Sequence, residues 1–343
     1  MLRKGFYMVS LRKIAGLAGV SPSTVTRALR DDVRIGAATR EKIHALATMY
    51  HYIPNRLAQS LMTGRSYTVG VILPSVVIPY SARMLEGILQ ATGPAGYRVI
   101  IQESHGKLAD TISAIQMLTE QRVDGVLLDT GHLQPIPRKT ILEMRSHEVI
   151  PVGLDATDFE DKVDIVMTDE ASLALQAVDY LLSQGHKQVV FAGKMSAGKL
   201  TGRGKFMAQA FKTRMLNSHF IDVHDDPPYT SLQVDNIVAE ILKISPRPTA
   251  IITWEDPIAA LLMPALLRKN IKVPGDISMI GCGNLSFSTF ISPTLTTFEQ
   301  HPEQVGASAF KLLEERLNGE VSPPKSISIK PTLIIRDSVK KLN

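Results

Sequence analysis

The chain has 343 residues, 44% hydrophobic and 21% charged, with a net charge of +5; this is too long for one ordinary compact domain and too apolar for a disordered chain. No apolar run reaches the roughly 18 residues that cross a bilayer, and the basic start MLRKGFYMVS lacks the apolar core of a secretory leader. The single cysteine, Cys282, excludes an internal disulfide, so a protein of the reducing cytoplasm with no membrane partner is expected.

The charge is unevenly distributed. Residues 1–66 hold eleven Lys and Arg against three Asp and Glu, net +8, while the remainder is net −3. A basic head on a mildly acidic body fits a chain whose head alone meets a polyanion. In that head Ser10 suits an N-cap, and Leu11, Ile14 and Ala18 follow on one helical face. Gly19 ends the helix with a permissive turn. A second helix restarts at Ser21-Pro22, with proline where its missing N–H costs nothing. Val25, Ala28 and Leu29 form its buried stripe, leaving Ser23, Thr24, Thr26, Arg27 and Arg30 outward. Two short helices joined by a glycine turn predict a helix-turn-helix whose second member enters the major groove. Gly36 caps a third helix, and Ile43, Leu46, Ala47 and Tyr50 close the small core.

After Tyr52 comes a short polar segment, IPNRLAQSL. At this point the chain resembles the lactose-repressor/galactose-repressor family of bacterial transcription factors. The resemblance rests on VSLRKIAGLAGVSPSTVTRAL, on Thr39-Arg40-Glu41-Lys42-Ile43 and on YIPNRLAQSL, and it continues to near the C-terminus. It implies a hinge helix at about residues 54–62 that orders on DNA, with Leu61 wedged into a base step. The residues it implies at a near-palindromic double-stranded operator are Ser10, Ser21, Pro22, Ser23, Thr24, Thr26, Arg27, Asn55, Arg56, Ala58 and Leu61. The absence of a heptad tail predicts a homodimer.

From residue 67 onward the pattern is α/β. Apolar strands are expected at 69–75, 97–103, 123–129 and 149–155, with helices near 81–92, 108–121 and 138–147. A second set is expected to begin at DIVMTD (164–169) and to continue at 187–193, 220–224, 249–256 and 276–282. Such alternation predicts parallel sheets covered on both faces, here two doubly wound subdomains with a cleft between them. This portion resembles the family's periplasmic-binding-protein-like core through QGHKQV, VPGDIS and PTLTT. By that resemblance the chain crosses between lobes near 156–166, 286–298 and 320–330. The lobes are then about 67–160 with 298–322, and 161–292 with 325–340.

One stretch invites another reading. FAGKMSAGKL (191–200) follows a strand and nearly spells a phosphate-cradling loop. That loop needs Ser or Thr directly after its lysine to hold magnesium, and Leu200 stands there. A P-loop or sugar-metabolising enzyme is thereby disfavoured. No G-x-S-x-G elbow and no paired His/Cys spacing for a metal is present, so neither catalysis nor a cofactor is expected. A stand-alone solute-binding receptor has no use for the +8 head.

The cleft is expected to hold a small carbohydrate-type effector, with candidate ligands Ser75, Tyr80, Arg83, Asp129, Asp155, Lys194, Arg203, Trp254, Asp256 and Asn284, and Ser196 and Lys199 near its rim. Three places depart from the family pattern: Glu255 replaces an asparagine, Gly281-Cys282-Gly283-Asn284 replaces Gly-Tyr-Asp-Asp, and the Arg-x-x-Gly-Phe motif is disturbed around Arg203. Arg83, Lys194, Lys199 and Arg203 together favour a sugar acid or sugar phosphate, and GVILPS resembles the gluconate-regulator branch.

Overall fold

A computed structural model describes residues 9–29, 31–52, 64–129, 135–155, 159, 162–196, 199–223 and 229–342. The expected hinge helix at 54–62, with Asn55, Arg56, Ala58 and Leu61, lies outside these residues, as do Arg30 and the side chain of Ser196. The chain divides into two compact units, Met1–Ser66 and Tyr67–Asn343.

In the first unit, α1 (Leu11–Ala18) begins where the Ser10 side chain accepts from the Lys13 amide, and it ends at Gly19, left-handed with φ 72°. In α2 (Pro22–Ala28) the Ser21 side chain accepts from the Thr24 amide. Helix α3 (Ala37–Met49) follows Gly36. Ile14, Ala15, Ala18, Val25, Ala28 and Ile43 are buried together, with Leu46 and Tyr50 packed against them. Lys42 Nζ donates to the Ala18 carbonyl at 3.0 Å, meeting one of the acceptors that a helix C-terminus leaves open.

The second unit runs β1 (Thr68–Leu73), α4 (Pro79–Thr92), β2 (Arg98–Glu103), α5 (Leu108–Glu120), β3 (Gly125–Asp129), α6 (Arg138–Ser146), β4 (Ile150–Leu154), β5 (Asp164–Thr168), α7 (Glu170–Ser183), β6 (Gln188–Gly193), β7 (Met195–Ser196), β8 (Lys199–Leu200), α8 (Arg203–Thr213), β9 (Asn217–Asp222), α9 (Ser231–Lys243), β10 (Ala250–Thr253), α10 (Asp256–Arg268), β11 (Ser278–Cys282), β12 (Thr296–Glu299), α11 (Pro302–Leu317), β13 (Ser326–Ile329) and β14 (Thr332–Ile334). Two six-stranded sheets form, in the orders β13-β5-β4-β3-β1-β2 and β14-β12-β11-β10-β6-β9. Every pairing in them is parallel except that of β14 with β12. The apolar strand TVGVIL is wholly buried inside the first sheet, between β3 and β2, whereas RVIIQE lies half-exposed at its edge. This follows the rule that parallel strands covered on both faces read as continuous apolar runs.

The lobe boundaries need correction. β5 is the fifth strand of the first sheet, with Ile165 opposite Gly153 and Val166 opposite Leu154, and does not open the second set. β13 returns to that sheet beside it. The chain therefore passes between lobes at Asp169, at Gln300–His301 and at Lys330–Pro331, at or beyond the ends of the three expected stretches. The physical reason is that a buried parallel strand has the same apolar pattern in either sheet, so pattern alone does not say which neighbour it takes. The crossings are stitched together: Gln300 donates to Glu170 at 3.5 Å, His301 meets Thr332 at 3.0 Å, and Gln176 donates to the Pro331 carbonyl at 3.4 Å.

The stretch resembling a phosphate loop folds otherwise. Met195 pairs antiparallel with Leu200, and Ser196 with Lys199, so the described residues on either side of 197–198 form a short β-ladder.

In lobe one, α4 and α11 touch backbone to backbone. A Cβ on Gly87 would lie 2.0 Å from the Glu303 carbonyl oxygen, and one on Gly306 would lie 2.2 Å from that of Met84. Since neither backbone can yield without parting the helices, Gly87→Ala is expected to lower the stability of the core unit by about 3 kcal/mol, read as a fall in the midpoint of urea unfolding at unchanged slope.

Candidate functional site

Two separate surfaces carry the candidate chemistry. On the first unit, Ser10, Ser21, Pro22, Ser23 and Arg27 are exposed, and Thr24 and Thr26 are half-buried. The hydroxyls are ordered: Ser21 Oγ lies 2.7 Å from Ser23 Oγ and 2.9 Å from Thr24 Oγ1, and Thr26 donates to the Pro22 carbonyl at 3.1 Å. Arg27 extends from the same helix into solvent. Small hydroxyls beside an exposed arginine suit phosphate and base-edge contacts. Beyond α2, Arg34 is engaged within the head itself. Its Nε and Nη2 fork onto Asp32 at 2.9 and 2.7 Å, and this hydrogen bonding holds the Asp32 carboxyl at about 2.

In the second unit, candidate residues gather at the carboxyl ends of strands. In lobe one, Asp129 ends β3, Asp155 follows β4 and Thr168 ends β5. Tyr80, the second residue of α4, donates its phenol to Asp155 Oδ2 and lies 3.0 Å from Thr168 Oγ1. The Thr168 amide donates to Asp155 Oδ1 at 2.6 Å. Asp155 takes up a left-handed backbone, φ 44°, which turns its side chain back over the strand ends. Part of its surface stays open, yet protein surrounds it closely enough that desolvation pushes its carboxyl up to about 6, against the hydrogen bonds from Tyr80 and Thr168. Burial likewise raises the Tyr80 phenol, aided by the Asp155 charge.

In lobe two, Arg203 opens α8 and is 7% exposed. Its Nε and Nη2 fork onto Glu170 at 2.7 and 2.8 Å, and Nη1 donates to the Trp254 carbonyl. The guanidinium also lies 5.2 Å from the centre of the Trp254 ring. The indole, 9% exposed, packs 6.5 Å from Phe191; it is mainly a core side chain with an arginine over it. The charges of Glu170 and Arg203 both act on Asp155, so the lobe-one and lobe-two clusters face each other. Thr168, Glu170 and Gln300 belong to this cleft and were missed from sequence, where only their place at strand and helix ends distinguishes them.

Several expected ligands are engaged elsewhere. Asp256 is fully buried: Thr297 donates to Oδ1 at 2.5 Å and the Leu285 amide to Oδ2 at 2.8 Å. It pins β12 and the loop after β11 beneath the cleft, and it offers a ligand no surface; burial pushes its carboxyl up. Asn284 donates to Glu299 at 3.1 Å and accepts from Arg336 at 2.6 Å. Ser75 donates to Glu103 at 2.9 Å. Arg83 is bound to Glu303 and Glu299. Lys194 is half-buried at the end of β6, and Lys199 is exposed. Of the four cations expected to make the cleft electropositive, the two arginines are thus matched by carboxylates of the chain itself. Among the described residues no His/Cys/Asp/Glu group is disposed to hold a metal, and no helix is long and apolar enough to cross a membrane.

Residues 10–55 match the model of bacterial regulatory proteins of the lacI family, and residues 178–339 match a periplasmic binding protein-like domain. The chain thus joins a head of the lacI type to a periplasmic binding protein-like core. It is 28% identical over 341 residues to the HTH-type transcriptional repressor PurR of Vibrio parahaemolyticus, covering 98% of this chain and 100% of that protein. PurR of Photobacterium profundum is likewise 28% identical, over 346 residues. The fold is that of the lac repressor dimer bound to operator and an anti-inducer (TM-score 0.81, 22% identity, 97% of this chain and 99% of that one). A LacI family regulator from Enterococcus faecalis with bound ribose matches at 26% identity and TM-score 0.68, over 80% of this chain and all of that one. Head and core together are those of a DNA-binding transcriptional regulator.

The Asp155 carboxyl ties this cleft to pH. Between about pH 4 and 6 the unfolded chain has released this proton while the folded chain keeps it, so the contribution of Asp155 to stability falls as pH rises through that window. Relative to wild type, Asp155→Asn is expected to gain about 2 kcal/mol on going from pH 4 to pH 7, measured by urea unfolding at each pH; a difference that stays flat rules out the raised carboxyl.

Proposed function

We propose that the chain is a dimeric, operator-binding repressor whose grip on DNA is set by an uncharged, hydroxyl-rich carbohydrate-type effector enclosed between the two lobes of its core. The observation that carries the effector class is the engagement of both arginines by Glu299, Glu303 and Glu170, which leaves an acidic sugar or sugar phosphate without the guanidinium partners it requires. The carboxylates and hydroxyls of Asp155, Glu170, Tyr80 and Thr168 suit sugar hydroxyls, which both donate and accept. The relative from Enterococcus faecalis was crystallised with ribose, a neutral sugar.

On DNA, the reading places Ser21, Ser23, Thr24 and Arg27 in the major groove of each half-site, with Pro22 and Thr26 beside them and Ser10 at the phosphates. Asn55, Arg56, Ala58 and Leu61 form the hinge at the operator centre, where an apolar wedge opens a base step. The effector couples to DNA only by favouring one lobe arrangement over the other.

A footprint on the DNA upstream of the chain's own coding sequence tests the regulator, at fixed salt, with and without D-ribose, D-gluconate and D-glucose 6-phosphate. Protection of a near-palindrome is expected, and Arg27→Ala is expected to weaken it by about 1–3 kcal/mol; indifference to duplex sequence overturns the reading. Trp254 is the only tryptophan, so its fluorescence reports the effector directly. A response to neutral sugars without one to either anion is expected, and the reverse overturns the effector class while leaving the regulator intact.

A further inference from the structure

We propose that Arg83 is an interlobe strut, a positioning residue that holds lobe two against lobe one and so sets how far the effector cleft is closed. The proposal rests on the reading that lobe movement carries the signal. Its basis is geometric. Arg83 lies in α4 of lobe one, three residues after Tyr80, and residues at that spacing share a helix face. Glu303, in α11 of the same lobe, takes Nε at 2.6 Å and Nη2 at 3.0 Å. This fork fixes the direction of the guanidinium within lobe one.

The remaining donors leave the lobe. Nη1 donates to the Gly283 carbonyl at 3.1 Å, and Nη2 donates to Glu299 Oε1 at 3.1 Å. Gly283 follows β11 and Glu299 ends β12, both in the second sheet. The landing point is itself braced. Glu299 Oε1 accepts from the His301 amide at 2.9 Å, and Oε2 accepts from Asn284 Nδ2 at 3.1 Å. Asn284 in turn accepts from Arg336, which donates onward to the Leu295 carbonyl at 2.7 Å. Arg83 is 29% exposed and Glu299 13%, so solvent screens this pair less than an ion pair on the open surface. Burial opposes the Glu299 charge, yet Asn284, the His301 amide and Arg83 outweigh it and hold the carboxyl below its ordinary range.

Opening the lobes leaves Arg83 with Glu303 and takes it away from Glu299 and Gly283. Arg83 thus lies one helical turn from the cleft tyrosine and at the second crossing between lobes. An effector that shifts Tyr80 acts on the helix that carries the strut.

The test uses the full chain with spin labels at Lys139→Cys and Lys205→Cys, both exposed and on the first turns of α6 and α8, one in each lobe. Cys282 is 3% exposed and stays unlabelled. Labelled protein is diluted with unlabelled protein so that pulsed electron resonance reports distances within one chain. The strut predicts that Arg83→Gln and Glu299→Gln each move the main distance to longer separation, that the double variant moves it no further, and that Arg83→Lys recovers part of the native distance. A folded Arg83→Gln with the wild-type distribution overturns the proposal. Should that variant fail to fold, Glu299→Gln decides on the same criterion. A wild-type chain that binds no operator refutes the regulator and leaves these distances unchanged, so the two failures are separable.

Discussion

Parallel strands bring their carboxyl ends to one edge of a sheet, and that constraint decides where the candidate chemistry of the core lies. Asp129, Asp155 and Thr168 reach the cleft because β3, β4 and β5 run the same way in the first sheet. Trp254 and Gln300 reach it because β10 and β12 do so in the second. Nothing in the local sequence around Asp155 requires it to meet Tyr80, 75 residues earlier. Sheet topology brings them together, and the left-handed turn at Asp155 aims the carboxylate.

A buried charge needs a partner, since an uncompensated one costs several kcal/mol, and this requirement shapes the cleft as much as any ligand does. Arg203 is matched by Glu170 from a helix 33 residues away, and Arg83 by carboxylates 216 and 220 residues away. Counting cations along the chain therefore overstates the positive field that a ligand would meet. The head follows the opposite logic. Arg27 stays exposed, and the surface hydroxyls form local hydrogen bonds among themselves, as suits a face that exchanges water for phosphate.

The head and the strand-helix rhythm were legible because their signals are local. Ser10 and Ser21 cap their helices as their positions predict, Pro22 sits at the first turn, and Gly19 takes the left-handed conformation. The strands of the core announce themselves as apolar runs a few residues from their observed ends. Less legible was whatever depends on distant partners. The second set of strands was expected from DIVMTD, yet that strand pairs with VIPVGLD in the first sheet. Asp256 was expected in the cleft, yet Thr297 and Leu285 draw its carboxylate inward. FAGKMSAGKL shows how a spacing resemblance dissolves once Met195 and Leu200 are seen to pair across a ladder.

The contact of α4 with α11 through Gly87 and Gly306 has a mechanical consequence. Where two helices meet through bare backbone, one cannot slide along the other, because the next turn brings side chains into a gap sized for none. The pair must move as a single beam, and a push on Tyr80 at one end of α4 is transmitted as rotation of that beam rather than absorbed by slippage. Lobe one thereby behaves as a stiff plate, and compliance is left to the three short crossings.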